Sequence, residues 1–340
     1  EPIGVVVAVS AFNHPLNLIV HQVAAAVAAG CPVIVKPAED TPLSCFAFVG
    51  LLHEAGLPVD FAQALVTDSL QAAERLVTDA RVGFFSFIGS AKVGWMLRSK
   101  LAPGTRAALE HGGAAPLIVA ADADLDAAVP AVLKGGYYHA GQVCVSVQRL
   151  FLHRGIAETF VERLTAAVSG LNVGNPTLAE TEVGPLIRPP EVDRVETWVR
   201  EAVSGGATLT TGGERLSDTT YAPTLLVEPA ADARVSTEEI FGPVVCAYRY
   251  DVLDDAVEQA NALPVAFQAA VFTRDIDTAM HAWRHLDASA VMVNDHTAFR
   301  VDGMPFAGLR QSGLGVGGIP YTMHDMTIEK MLVLKSAELP

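Results

Sequence analysis

The 340-residue sequence predicts an α/β protein built from two doubly wound, Rossmann-like layers. The first observation is a repeated alternation of apolar, β-branched runs with stretches of helical length and pattern. Runs such as residues 4–9 (GVVVAV) are typical of strands buried on both faces of a parallel sheet. The second observation is size, because 340 residues, 51% of them hydrophobic, suffice for about two domains with their own cores.

The alternation places each predicted element along the chain. In the first part, strands are predicted at residues 4–9, 33–35, 64–66 and 82–87. Helices are predicted at 16–29 and 70–79, and two more are predicted to end near residues 55 and 100. From Leu150 a second alternation begins, with strands at 148–152, 207–210, 244–248, 269–272 and 290–293 and helices at 155–170, 191–204, 253–262 and 276–286. The glycine-rich run 294–318 is predicted as a long functional loop, and residues 330–334 as an edge strand.

Composition excludes several classes of protein. A formal net charge of −15 argues against binding to nucleic acid or to an anionic membrane surface. Four widely spaced cysteines lack metal-ligand spacing, which predicts a reduced, cytoplasmic protein with no structural metal. The most apolar stretch, residues 16–35, is interrupted by polar residues, glycine and proline, and is predicted to be buried rather than to span a membrane.

Three short stretches have the composition of chemical sites. The glycine turn at residues 89–94 follows a strand and begins a helix, which favours either phosphate binding or a plain tight turn. Glu110 lies between an apolar run and a glycine pair, as a desolvated general base or a surface carboxylate would. Cys144 follows a Gly-Gln pair, as either a shielded nucleophile or an inert buried thiol.

Seven motifs in order resemble those of the aldehyde dehydrogenase superfamily along nearly the whole chain. Departures from the family pattern at Phe12, His14, His111 and Ala307 remove no reacting group. The motifs are residues 12–15 (FNHP), 36–42 (KPAEDTP), 88–90 (IGS), 109–113 (LEHGG), 141–144 (GQVC), 239–243 (EIFGP) and 304–313 (MPFAGLRQSG).

The resemblance implies a catalytic set. Cys144 would attack the aldehyde carbon as a thiolate. The side-chain amide of Asn13 and the backbone N–H of Cys144 would form the oxyanion hole. After hydride transfer, Glu110 would activate water to hydrolyse the thioester.

The resemblance also implies a dinucleotide site. Ser90 would meet the pyrophosphate, Lys36 and Glu39 the adenosine ribose, and Glu239 the nicotinamide ribose, with Phe241 packing nearby. We expect NAD as the cofactor, because the Glu39 carboxylate would repel a 2′-phosphate. Lys36 could attract that phosphate, so NADP stays possible.

The same resemblance implies a division of the chain. It gives a cofactor-binding domain at 1–113, a catalytic domain at 114–306, a return to the cofactor domain at 307–325 and an oligomerisation strand at 326–340. Family members have a substantial segment before the position of Glu1, so the N-terminal part of the cofactor domain is expected to be missing. A homodimer or homotetramer is expected for the full-length protein.

Family members place the residue after the oxyanion asparagine, and those one and two helical turns on, in the aldehyde tunnel. Here these positions are His14, Leu18 and His21, and the closing loop contains Arg300. The resemblance therefore favours a short aldehyde with an anionic tail, semialdehyde-like, gripped by Arg300 and His14. The alternative is that Arg300 pairs with Asp302 or another loop carboxylate and that His14 is a packed ring.

Two other functions remain as alternatives. Acyl transfer to coenzyme A occurs in family members that lack the general base, and Glu110 argues against it. A non-catalytic structural or binding protein on the same fold is a second alternative, which the joint presence of Cys144, Glu110, Asn13 and Glu239 argues against.

Overall fold

The computed structural model describes residues 1–67 and 69–338 and contains two compact units. The first consists of Glu1–Leu109 with Gly315–Pro340, and the second is Glu110–Leu314. Both are α/β layers of mostly parallel strands, so the predicted α/β class with two Rossmann-like layers is confirmed. Backbone groups at 111 and 113 bond to Ser312 and Glu239 within the second unit, and the division expected at 113 and 306 stays a prediction.

The first unit alternates strands and helices along the chain. Strand β1 pairs in parallel with β2 and β4, and β2 pairs in parallel with β3, in the order β5–β4–β1–β2–β3. The elements are β1 (Val5–Val9), α1 (Asn17–Ala28), β2 (Val33–Lys36), α2 (Leu43–Glu54), β3 (Ala62–Ala64), α3 (Leu70–Val77), β4 (Val82–Ile88), α4 (Ala91–Arg98), β5 (Arg106–Glu110) and, after the second unit, α11 (Ile319–Asp325).

The second unit contains a seven-stranded sheet in the order β13–β12–β6–β7–β10–β9–β8, parallel except for the pair β8–β9. Its elements are β6 (Ala115–Val119), α5 (Leu125–Tyr137), a 3₁₀ turn (Tyr138–Gly141), β7 (Val147–His153), α6 (Arg154–Ser169), α7 (Pro189–Ser204), β8 (Thr208–Thr211), β9 (Thr224–Val227), α8 (Arg234–Thr237), β10 (Val244–Tyr250), α9 (Leu253–Asn261), β11 (Val265–Ala266), β12 (Gln268–Phe272), α10 (Ile276–His285), β13 (Ala290–Val293), β14 (Leu309–Arg310) and β15 (Gly313–Leu314).

Local chemistry explains where these helices begin and end. The Ser69 hydroxyl accepts a hydrogen bond from Ala72 N–H at 3.3 Å and caps α3. The Asp275 carboxylate accepts one from Thr278 N–H at 2.8 Å and caps α10. Gly30, with φ +78°, follows the end of α1, where a left-handed residue stops a helix without steric cost.

Two strands of the seven-stranded sheet were not predicted, nor were the two-residue strands β11, β14 and β15, and one predicted strand of the first unit is displaced. The two strands are β6 (Ala115–Val119) and β9 (Thr224–Val227). They were missed because Pro116 interrupts the strand pattern of β6 and because β9 has only four residues. The strand expected at 64–66 lies instead at Ala62–Ala64, where it pairs with β2. Pairing with a neighbour, rather than local apolarity, therefore sets these bounds.

The strand predicted at residues 330–334 is not formed within this single chain, and the oligomerisation strand expected at 326–340 stays a prediction. Residues 330–334, the core of the expected strand 326–340, have no regular structure, and the last two residues of that range lie outside the described part. Only Thr327 forms an isolated antiparallel bridge, with Pro2. A strand needs a hydrogen-bonded neighbour. Within the described chain residues 330–334 have none, and the Met331–Leu334 side chains are 65–85% exposed.

No helix among the described residues has the length and apolarity required to cross a lipid bilayer.

We expect truncation of a core side chain of the second unit to destabilise the protein. Phe160 on α6 is fully buried among the side chains of this core. Phe160→Ala should lower the free energy of unfolding by about 3–5 kcal/mol, because it removes apolar contacts and leaves a cavity. Urea denaturation of the two proteins measures the difference. Glu158→Ala, at an exposed position of the same helix, should change it by no more than about 0.5 kcal/mol, and an equal loss in both variants would contradict the prediction.

Candidate active site

The predicted catalytic residues of the second unit lie at the amino-terminal edge of its sheet. Gly113 precedes β6, Cys144 precedes β7, Glu239 precedes β10 and Phe267 precedes β12. Because these four strands are parallel neighbours in the sheet, the segments that lead into them meet at one edge. Glu110 precedes Gly113 by three residues and joins the same group.

The loop before Cys144 has an unusual backbone. His139, Ala140 and Gly141 are three consecutive residues with positive φ, at 51°, 55° and 69°. A Cβ on Gly141 would overlap the carbonyl of Gly242, so only glycine fits there. The loop then turns around Cys144 through a hydrogen bond from Ser146 N–H to the Val143 carbonyl at 2.9 Å.

Cys144 is only partly exposed and lies against an apolar cluster. The cluster is formed by Val143, Val145, Phe267 and Phe306, and the two phenyl rings are 4.6 Å apart between centroids. Burial raises the pKa of the Cys144 thiol far above its ordinary value, and the Glu239 and Glu110 carboxylates raise it further. Arg300 opposes this shift. The thiol is therefore protonated at neutral pH and needs a base to become a nucleophile.

Glu110, the last residue of β5, is a half-buried carboxylate at this edge. Burial raises its pKa to about 7, and the positive charge of Arg300 acts against the shift. The chain after it is fixed by a hydrogen bond from His111 N–H to Ser312 O at 2.9 Å, while the Ser312 hydroxyl accepts from Ala266 N–H at 3.0 Å. A carboxyl group with this pKa can exchange protons near pH 7.

Glu239 is a second carboxylate with a raised pKa. Burial raises it to about 8, while a hydrogen bond from Gly113 N–H, at 3.1 Å, and the charge of Arg194 lower it. A Cβ on Gly112 would overlap both carboxylate oxygens, so the absence of a side chain at Gly112 gives Glu239 its place. The next residue but one, Phe241, is half-buried with φ at 47°.

Arg300 is the positive charge of this group. Its guanidinium carbon lies 4.0 Å from the centroid of the Phe306 ring, in a cation–π arrangement. The buried Nε has no hydrogen-bond partner among the described residues. Its charge lowers the pKa of both Cys144 and Glu110, so it acts on the predicted nucleophile and the predicted base together.

The remaining predicted residues lie in the first unit. Asn13 and His14 follow β1 and precede α1, and Leu18 and His21 lie on α1. Leu18 N–H donates a hydrogen bond to the His14 carbonyl at 3.1 Å, so Leu18 lies one helical turn after His14. All four side chains are half-buried.

The predicted cofactor residues of the first unit follow the carboxyl ends of parallel strands. Lys36 ends β2, is buried, and forms an ion pair with the exposed Glu39. Ser90 follows β4 as the N-cap residue of α4, and its hydroxyl makes no capping hydrogen bond within the described chain. In α/β sheets, this end of the strands is where nucleotide ligands bind.

Three buried polar residues near the cysteine were not predicted. The Gln142 amide binds the carbonyls of His139 and Pro185 and the N–H of Ile187. The buried Arg149 guanidinium donates to the carbonyls of Ala114, Gln259 and Ala260 at 2.8–3.0 Å, and burial lowers its pKa to about 10. The third is Gln148. The signal in the sequence was the pair Gln148-Arg149 inside an apolar strand, where buried polar groups require partners.

No group of three or more histidine, cysteine, aspartate or glutamate side chains in the described residues is arranged to hold a metal ion.

These features place a partly exposed thiol and two carboxylates of raised pKa at one edge of an α/β sheet. The family model for the aldehyde dehydrogenase family matches residues 1–332, and the chain belongs to that family. It is therefore an oxidoreductase that oxidises an aldehyde with NAD or NADP as the acceptor.

Relatives and solved structures agree with this placement. The 3-sulfolactaldehyde dehydrogenase of Priestia aryabhattai is 41% identical over 98% of this chain and 69% of its own length. The structure of aldehyde dehydrogenase 21 from Physcomitrella patens, in complex with the reaction product succinate, superposes with a TM-score of 0.95 at 38% identity, over 99% of this chain and 70% of that chain. The structure of the glyceraldehyde-3-phosphate dehydrogenase of Methanocaldococcus jannaschii complexed with NADP gives a TM-score of 0.93 at 36% identity. The match covers 96% of this chain and 72% of that chain.

The raised pKa of Cys144 predicts slow alkylation of the free enzyme. At pH 7 iodoacetamide should react with Cys144 more slowly than with a free cysteine, and the rate should rise steadily toward pH 10, because only the thiolate reacts. Mass spectrometry of the labelled peptide measures the rate. Cys144→Ala is the control, since Cys31, Cys45 and Cys246 are buried. A rate at pH 7 equal to that at pH 10 would contradict the assignment.

Proposed function

We propose that the chain oxidises a short aldehyde whose other end is anionic to the corresponding acid, through Cys144 and Glu110. The observation that supports this most is Arg300, a cation that acts on the pKa of both the nucleophile and the base. A fixed positive charge beside the reacting group suits a substrate with a negative charge a few bonds from its carbonyl.

The names of similar proteins support the same substrate class. Sulfolactaldehyde, glyceraldehyde-3-phosphate and the product succinate are short molecules with a sulfonate, phosphate or carboxylate group. In this proposal the tail binds Arg300, whose Nε has no partner in the described chain, and His14 assists it. Leu18 and His21 line the approach of the aldehyde.

The chemistry begins at Cys144. Its thiol gives its proton to solvent water and the thiolate sulfur adds to the carbonyl carbon, and the resulting oxyanion accepts hydrogen bonds from the Cys144 N–H and the Asn13 amide. When bound, NAD or NADP supplies the hydride acceptor that converts this adduct into a thioester on Cys144. Glu110 then takes a proton from water, which attacks the thioester and releases the acid. A pKa of about 7 suits Glu110 to this task near neutral pH.

The residues that would hold the cofactor fit a dinucleotide. The uncapped N-terminus of α4 at Ser90 offers N–H groups to the pyrophosphate, and the Lys36–Glu39 pair offers a cation and a carboxylate to the adenosine ribose. Glu239 would bind the nicotinamide ribose, with Phe241 beside it. We propose a preference for NAD, because the exposed Glu39 carboxylate disfavours a 2′-phosphate, while Lys36 keeps NADP usable.

Location and assembly complete the proposal. We infer a cytoplasmic enzyme, because Cys31, Cys45, Cys144 and Cys246 are all free thiols. We also infer a homodimer or homotetramer, for which the exposed apolar side chains of residues 331–334 are a suitable contact.

Glu110→Gln tests the hydrolytic half of the reaction. Glutamine cannot take a proton from water, so we expect a burst of about one NADH per active site and then slow turnover. Stopped-flow absorbance measures both phases. In the wild type the hydrolysis rate should rise with pH through about 7, as Glu110 loses its proton, and the variant should lose this dependence. If hydride transfer itself disappears and no burst forms, Glu110 has another role.

Arg300→Ala tests the anionic tail. For succinic semialdehyde, kcat/KM should fall about tenfold to a hundredfold, as expected when a charge-assisted hydrogen bond is lost. For butanal, which has no charge, the fall should be much smaller, because only the effect of Arg300 on the pKa of Cys144 and Glu110 is lost. Arg274→Ala, a surface arginine paired with Asp124, is the matched control and should leave both values unchanged. An equal loss for the two aldehydes would remove Arg300 from substrate recognition.

A further inference from the structure

Gln148 is a buried side chain that the chemistry above does not use. It lies on β7, four residues after Cys144, and is only 5% exposed. Its amide makes three hydrogen bonds, all to backbone groups of one segment, residues 235–240. The Nε2 group donates to the Glu238 carbonyl at 2.7 Å and to the Val235 carbonyl at 3.1 Å, and Oε1 accepts from Ile240 N–H at 2.8 Å.

Two of these bonds bracket Glu239. The carbonyl of Glu238 stands immediately before that residue and the N–H of Ile240 immediately after it, so both adjacent peptide groups are fixed to β7. The carboxylate is fixed separately, by Gly113 N–H at 3.1 Å and by the space that Gly112 leaves. Backbone and side chain of Glu239 are thus held by different parts of the unit.

We propose that Gln148 is a positioning residue that sets the Glu239 carboxylate for the nicotinamide ribose. This inference rests on the role given to Glu239 in the proposed function. Through Gln148 the strand that follows the nucleophile also fixes the residue that binds the cofactor, so one rigid element places both.

The chemistry of the side chain explains why this position needs glutamine. A primary amide offers two donors and an acceptor in one plane, which matches two carbonyls and one N–H. Methionine has a similar length and burial but would leave the Glu238 carbonyl and the Ile240 N–H without partners. The segment would then shift to regain hydrogen bonds, and the Glu239 carboxylate would move with it.

The test is a double-mutant cycle between Gln148→Met and Glu239→Ala in the full chain. Gln148→Met should raise the KM for NAD by about tenfold and change the KM for the aldehyde by less than about twofold. In the Glu239→Ala background, the same Gln148→Met change should raise the KM for NAD by less than about twofold, because its effect acts through that carboxylate. Equal effects of Gln148→Met in both backgrounds would overturn the proposal.

A matched control separates positioning from general stability. Tyr248→Phe removes a buried hydrogen bond, of 2.8 Å to the Ser236 hydroxyl, that anchors the same segment without bracketing Glu239. Its KM for NAD should stay within about twofold of the wild-type value, even where its melting temperature falls as far as that of Gln148→Met. A rise equal to that of Gln148→Met would overturn the proposal.

Two further measurements keep the test decisive. If Gln148→Met does not fold, Gln148→Asn replaces it in the cycle, because its amide is one methylene shorter and cannot reach both sides of Glu239. The KM for NAD should again rise in the wild-type background alone, and an unchanged value would count against the proposal. If Glu239→Ala alone leaves NAD binding unchanged, the role of Glu239 in the proposed function fails, which is visible without any Gln148 variant.

Discussion

Parallel pairing of β6, β7, β10 and β12 is the constraint on which the candidate site depends. The four strands run in the same direction as neighbours, so the segments leading into them end at a common edge. Cys144 and Glu239 are distant in sequence and meet there because their strands, β7 and β10, are adjacent. The first unit uses the opposite ends of its strands, since Lys36 and Ser90 follow the carboxyl ends of β2 and β4. The two α/β layers thus carry their candidate residues at opposite ends of their strands, catalytic ones in the second unit and cofactor-binding ones in the first.

Burial of acidic groups at this edge decides their protonation. Cys144, Glu110 and Glu239 all have raised pKa values, first because of burial and, for the thiol, because each carboxylate disfavours its ionisation. Arg300 offsets part of this for Cys144 and Glu110. The Glu110 and Glu239 carboxyl groups, with pKa values of about 7 and 8, can therefore exchange protons near neutral pH, whereas the Cys144 thiol keeps its proton there. The charges of this edge thus couple the ionisation of the Cys144 thiol to that of the two carboxyl groups.

Much of the fold follows from the sequence, because runs of β-branched residues between helical stretches specify parallel strands. Local patterns left Cys144 and Glu110 open between a catalytic and an inert role, and the resemblance to the family assigned them. The local patterns did not reveal the bonds from Gln148 to the residues around Glu239, because these join positions about ninety apart in the chain. The strand expected at 330–334 is not formed in this single chain for a related reason, since apolar, β-branched residues form a strand only where a partner is present. Long-range pairing is the information that a single sequence lacks.

The left-handed backbone of His139 and Ala140 has a consequence for the stability of this loop. Each such residue costs roughly 1–2 kcal/mol relative to a right-handed conformation, and glycine would avoid most of that cost. Each glycine would also widen the conformational range of the chain just before Cys144. The side chains at 139 and 140 thus restrict the backbone at the approach to the thiol, at a cost in folding stability.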